Sequence, residues 1–309
     1  MLRGRVSSIS SLKTKIASWF DPGCAAEDGE YGGRLVPVGE WCERHFEFMT
    51  RRNLKEIHFN RERGFISRGS YSFLEELPES LVGIKIVDSE AVNLAPCLAH
   101  GKSLRALDLS FVGDLKQPLP FERFVQLERL RVLVPMPQAE NLFLCSRLER
   151  LALSRYSGQL SQAQFANLRS LRILFLSTVQ LADLAPLQDL VAIEELTVAG
   201  AKGLRSLRGI EGMHRLKNLT IESSRDLGSL QPLETLIGME RLWLYNCGRI
   251  DSLRPLQNLI QLREVTISGN TRVDDGDLSV LRALPRLQTV CVVERKNYRP
   301  RAAAVNRNG

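Results

Sequence analysis

The apolar residues of this chain recur in one figure: a first position, a second three residues on, and a third two residues after that. Met239, Leu242 and Leu244 show it, and Leu262, Val265 and Ile267 show it again 23 positions later. Between these triples Ile250, Leu253, Leu256 and Leu259 recur every third residue, with Pro255 just before Leu256. A two-residue alternation that gives way to a three-residue spacing predicts a short strand, a turn and a tight helical or 3₁₀ return.

The same figure runs through most of the chain. It begins at Leu81/Ile84/Ile86 and passes through Leu104/Leu107/Leu109, Leu127/Leu130/Val132, Leu148/Leu151/Leu153 and Leu171/Leu174/Leu176. It continues as Ile193/Leu196/Val198, Leu216/Leu219/Ile221, the two triples above, and Leu287/Val290/Val292. The steps are 23, 23, 21, 23, 22, 23, 23, 23 and 25 residues. Leu54, Ile57 and Phe59 carry the spacing as a degenerate first repeat, which gives an array of about 11 repeats over residues 54–294. One strand and its return cannot enclose a core, so the repeats must stack to bury their leucine rows.

These triples resemble the leucine-rich repeat family, in the 22–23-residue class similar to bacterial internalins and the nuclear phosphatase regulator. The resemblance also rests on the rows Leu184/Leu187/Leu190, Leu230/Leu233/Leu236 and Leu253/Leu256/Leu259, where Pro186, Pro232 and Pro255 precede the middle leucine. It implies an α/β solenoid, a horseshoe with a parallel concave sheet and short helical, 3₁₀ or irregular convex segments. The family usually places Asn at the ninth repeat position. Here that position holds Ser89, Val112, Pro135, Tyr156, Val179, Ala201, Ser224, Cys247 and Asn270. Cys247 and Asn270 are therefore expected to hold the well-formed bends.

Outside the array the composition changes. Residues 1–53 read as an N-terminal tail and cap, because half of the aromatic residues lie in the first 73 positions and an open solenoid end needs its own cover. Ile9, Leu12, Ile16 and Trp19 or Phe20 fall at helical spacing. That acid-free start suits a terminal helix, and it also resembles a mitochondrial presequence. No secretory signal is expected, and no run approaches the length of a membrane span. Residues 295–309 read as a basic, disordered tail.

The formal charge of +7 belongs to the ends. Arg3, Arg5, Lys13 and Lys15 at one end and Arg295, Lys296, Arg299, Arg301 and Arg307 at the other have no acid among them, which leaves the body slightly negative. Nucleic-acid association through these termini is the alternative function, and it would be salt-sensitive and blind to sequence. Six scattered cysteines without a C-x-x-C pair suit a reducing, cytoplasmic setting, with a Cys24–Cys42 bridge left open.

No catalytic motif is present. The four histidines, His45, His58, His100 and His214, fit no metal spacing, and there is no phosphate loop or nucleophile elbow. His58, predicted on the inner face beside Glu56, reads as a surface histidine. We therefore expect no enzyme, no cofactor and no metal, but a monomer that binds a protein partner.

The face that should bind follows from strand alternation. With positions one, four and six buried, positions three, five and seven face the hollow. This places Arg129, Arg131 and Arg150 together, with Arg155 and Tyr156 just beyond them and an exposed Phe175 beside them. Further along, Arg241, Trp243 and Tyr245 share one strand. Arginine and aromatic residues on an open face are the composition of binding hot spots. A structural use stays open for two of them: Arg241 pairing with Glu264 or Asn218, and Trp243 covering Thr220 and Thr266.

Overall fold

A computed structural model describes residues 20–21, 24–90, 93–112, 117–133 and 139–307. The expected N-terminal helix or presequence, and the bend at Pro135, lie outside the described residues. The chain divides into two compact units, residues 1–127 and 128–309.

The first unit opens with β1 (Phe20–Asp21), β2 (Cys24–Asp28) and β3 (Gly33–Pro37), which pair antiparallel in sequence. The short β4 (Gly39–Glu40) follows, then a helix over Glu43–Arg51. Next come β5 (Glu56–Asn60), β6 (Phe65–Ile66), β7 (Gly83–Asp88) and β8 (Ala106–Val112). Strands β3, β5, β7 and β8 run parallel, and β4 pairs parallel with β6 beside them. The aromatic residues gather here: Trp41 stacks on Phe73 at 4.7 Å, and Phe59 meets Phe65, Tyr71 and Phe73 within 5.4 Å. Cys24 is buried, Cys42 is exposed, and no disulfide joins them.

The second unit carries the regular array. Its strands are β9 (Arg129–Val132), β10 (Arg150–Ser154), β11 (Ile173–Ser177), β12 (Glu195–Ala199), β13 (Asn218–Glu222) and β14 (Arg241–Tyr245). After them come β15 (Arg249–Ile250), β16 (Glu264–Ser268), β17 (Arg272–Val273) and β18 (Thr289–Val292). From β9 to β14, then β16 and β18, each strand pairs parallel with the next, and β15 pairs parallel with β17. Leu151, Leu174, Leu196, Leu219, Leu242 and Val265 stand in one register row and are almost fully buried. Burying one such side chain stabilises by roughly 1.5–3 kcal/mol, so the stacked rows are the dominant favourable term. The return segments are 3₁₀ turns such as Ala185–Leu187, Gln231–Thr235 and Arg254–Leu256. In each a proline occupies the first turn, where its missing N–H is not needed. The repeat strands and turns make this an α/β solenoid of the leucine-rich-repeat kind.

Strands β10 to β14 and β16 end on the same backbone move. Arg155, Thr178, Gly200, Ser223, Asn246 and Gly269, all at the eighth repeat position, take φ between 52° and 64°. The N–H groups of the first five donate across to the next repeat: Arg155 to the Ser177 carbonyl, Thr178 to Ala199, Gly200 to Glu222, Ser223 to Tyr245 and Asn246 to Ser268, over 2.7–3.2 Å. Beyond this kink the chain turns inward. Cys247 Sγ donates to the Ile221 carbonyl at 3.1 Å, and Thr271 Oγ1 donates to the Leu244 carbonyl at 3.3 Å while accepting from the Cys247 N–H at 3.0 Å. Asn270 does not fill that role. It is exposed, and the residue after it, Thr271, takes the inner place.

Two further expectations change. Residues 295–307 are not a disordered tail. Tyr298 and Val305 are fully buried, and the Tyr298 hydroxyl accepts from the Val273 N–H at 3.0 Å. Arg307 pairs antiparallel with Val290, and the Asn306 amide both accepts from the Val292 N–H (2.8 Å) and donates to its carbonyl (3.0 Å). The edge of β18 is thereby covered, as an open parallel edge requires. The basic side chains serve the same closure: Arg295 donates to the Gly269 carbonyl and Arg307 to the Leu287 carbonyl.

His58 is the second change. It is 6% exposed rather than a surface residue, and its neighbour Glu56 is buried under a bond from Arg34 (2.7 Å) and the Tyr31 N–H (2.6 Å). Gly83 leaves room for that carboxylate, since a Cβ there would stand 2.8 Å from Glu56 Cγ. Burial first, then the charges of Lys85 and Arg34, lower the His58 pKa to about 4.

Two outcomes test these packings. Tyr298→Phe strands the buried Val273 N–H and should cost about 1–3 kcal/mol in urea unfolding, where a disordered tail would give no change. His58 is neutral in the fold and titrates near 6.5 when unfolded, so its contribution is lost as pH falls from there toward 4. Between pH 7.5 and pH 5 the parent should lose about 2 kcal/mol more than His58→Gln. Parallel losses in thermal melts would refute a buried neutral ring.

Candidate interaction face

On the second unit the sheet turns one face to the leucine core and leaves the other open. Parallel pairing without a register shift aligns equivalent positions into rows. The fifth-position row reads Arg131, Ala152, Phe175, Thr197, Thr220, Trp243, Thr266 and Cys291. The third-position row reads Arg129, Arg150, Ile173, Glu195, Asn218, Arg241, Glu264 and Thr289. The seventh-position row runs from Ser154 through Ser177, Ala199, Glu222 and Tyr245 to Ser268.

Two clusters emerge, with one aromatic ring between them. At one end Arg129 and Arg150 are register partners, with Arg131 exposed beside them. Burial, and then the Arg150 charge, lower the Arg129 pKa, with Glu149 opposing them. At the other end Trp243 and Tyr245 are each 45% exposed on β14. Trp243 Nε1 donates to Glu264 Oε1 at 3.0 Å, and Arg241 stands 4.0 Å from the same carboxylate. The pairing of Arg241 with Glu264 is therefore formed, and the indole is pinned edge-on while much of its surface stays open. Phe175 lies midway in the row, half-buried rather than exposed.

Arg155 and Tyr156 leave the face. The left-handed turn at Arg155 carries Arg155 to a groove of about 820 Å³, lined also by Thr178, Gln180, Asp183 and Lys202. Tyr156 swings inward to 9% exposure. Its ring packs on Phe143 at 5.7 Å, and its hydroxyl accepts from Gln164 Nε2 at 2.8 Å. Burial raises its pKa above the ordinary tyrosine value, Glu140 adds to the rise, and the Gln164 bond opposes it. Tyr156 belongs to the bend core and not to a contact surface. Glu222, which alternation places on the same face but which was not among the expected contact residues, lies beside Tyr245 and is exposed. Its alternation signal is the same as for the aromatic pair.

Among the described residues, no group of three His, Cys, Asp or Glu side chains is placed to hold a metal ion, and no helix is long and apolar enough to cross a membrane. Other exposed aliphatic side chains in this unit include Val191, Ile237 and Ile260, each two residues before its repeat's first buried position. They line the turns ahead of the strands rather than the open face.

Solved structures share this architecture. An internalin (inlF) from Listeria monocytogenes is similar over 83% of this chain and 79% of its own, with a TM-score of 0.60 and 19% identity. A TDR receptor is similar over 82% of this chain at TM-score 0.56 and 15% identity, and the plant peptide hormone receptor RGFR1 over 88% at 0.53 and 13%. This chain spans less than half of either receptor chain, 46% and 48%. No family model and no curated protein sequence matches the chain. At these identities the likeness establishes the leucine-rich-repeat fold.

The left-handed column that shapes the rim makes a prediction. A β-branched residue at φ 54° is strained, so Thr178→Gly should raise stability by about 1 kcal/mol in denaturant melts. An unchanged midpoint would show that the kink carries no strain.

Proposed function

We propose that this protein is a non-catalytic module that binds a partner protein on the open face of the sheet of its second unit. The observation that carries the reading is the pair Trp243 and Tyr245, two large rings 45% exposed on a face whose alternate positions are buried leucines. A rigid sheet that holds exposed aromatic side chains has already met the ordering cost that binding would otherwise require. The leucine-rich-repeat fold fits this use. The internalin and the two receptors share it, and one of those receptors was solved in complex with RGF2. The cytoplasmic location is part of the same proposal and rests on six cysteines, four of them buried, none of which is joined in a disulfide.

The test is affinity capture from native lysate with quantitative mass spectrometry, comparing the parent with Arg131→Ala/Trp243→Ala. Neither side chain is in the core, so the variant should fold. Specifically captured proteins should fall at least tenfold, the order expected for loss of hot-spot residues. Equal recovery of the same proteins would remove the open face from the account.

A further inference from the structure

The open face is electrically two-ended. Its positions on β9 and β10 hold Arg129, Arg131 and Arg150 and no acid. Its positions on β12 to β16 hold Glu195, Glu222 and Glu264 against the single Arg241. Arg241 and the Trp243 indole N–H both lean on Glu264, and Asn218 donates to Glu195 at 3.3 Å. Glu222 is exposed in the row of Tyr245, one strand over. Between the two ends the fifth-position row carries Ala152, Phe175, Thr197 and Thr220, with no charge.

From this arrangement we infer that the partner presents one polypeptide segment with an acidic cluster for Arg131 and Arg150 and, about seven residues away, a lysine or arginine for the Trp243/Tyr245/Glu222 end. The inference rests on the binding face proposed above and adds the chemistry of its occupant. Carboxylates meet guanidinium groups in charge-assisted, often bidentate bonds. At the other end an ammonium or guanidinium group is attracted to indole and phenol ring faces, and a neighbouring carboxylate supplies the counter-charge. The bond from Trp243 to Glu264 fixes the indole before any partner arrives. Five strand steps separate Arg131 from Trp243. At ~4.8 Å per step they span about 24 Å, which an extended chain covers in about seven residues. A segment of uniform charge meets repulsion at one end, so the face selects against it as well as for the two-signed one.

The test pans a displayed library of random 16-residue peptides against the folded parent protein. The enriched peptides are then synthesised and titrated by calorimetry against the parent, Arg131→Glu and Glu222→Lys. We expect enrichment of Asp/Glu clusters paired with a Lys or Arg some five to nine residues away. Each protein variant should bind the best peptide at least tenfold more weakly, and a peptide with its cationic residue changed to Glu should regain affinity for Glu222→Lys. Enrichment of peptides without the charge pair, affinity indifferent to both variants, or no enrichment at all overturns the inference. If lysate capture still depends on Arg131 and Trp243 in those cases, the binding face stands and only the two-signed occupant is lost. If capture is indifferent as well, both readings fall.

Discussion

Everything in the array depends on one constraint: leucine rows are buried only when each repeat stacks on the next in register. A single repeat has one apolar face and no partner for it. Stacking supplies the partner, and the parallel ladder then holds Leu196 beside Leu219 and Leu219 beside Leu242 without a slip. A slip by one residue would turn every leucine to solvent, so register is set by the largest energy in the structure. The same constraint aligns what faces outward. Trp243 stands beside Thr220 and Thr266 because Leu242 stands beside Leu219 and Val265.

The ends of such an array cannot be stacked, and the chain closes them by other means. The first unit covers its own outer strands with an antiparallel hairpin, a helix and an aromatic cluster around Phe59. At the finish the chain uses backbone pairing by Arg307, a side-chain amide from Asn306 and the buried ring of Tyr298. The arginines near that end donate to carbonyls of the last repeats, which gives their positive charge a structural use.

The strands, the buried triples and the proline-led 3₁₀ returns were legible in the sequence, because each is a short-range pattern repeated many times. The open-face placement of Arg131, Arg150, Trp243 and Tyr245 followed from alternation alone. What alternation does not carry is the point where it stops. The left-handed residue after β10 turns the next side chain inward, so Tyr156 is buried although it follows a surface arginine. In the bend after β16 the ladder role falls to Thr271, one position beyond Asn270, which counting from the first leucine misses. Residues 295–307 look disordered by composition because their order comes from non-local bonds, and a string of basic residues does not display those. His58 and Glu56 look exposed by the same alternation, but the first unit buries them, and Gly83 is the visible trace of that.

The central claim is that the open face of the sheet, and not the turns that flank it, meets the partner. Hydroxyl-radical footprinting of the free protein and of its captured complex measures this directly, because it reads side-chain access residue by residue. Protection of Trp243 and Tyr245, with Val191, Ile237 and Ile260 still fully reactive, is the predicted result. Protection of those three aliphatic side chains while both rings stay open to the radical would contradict the account.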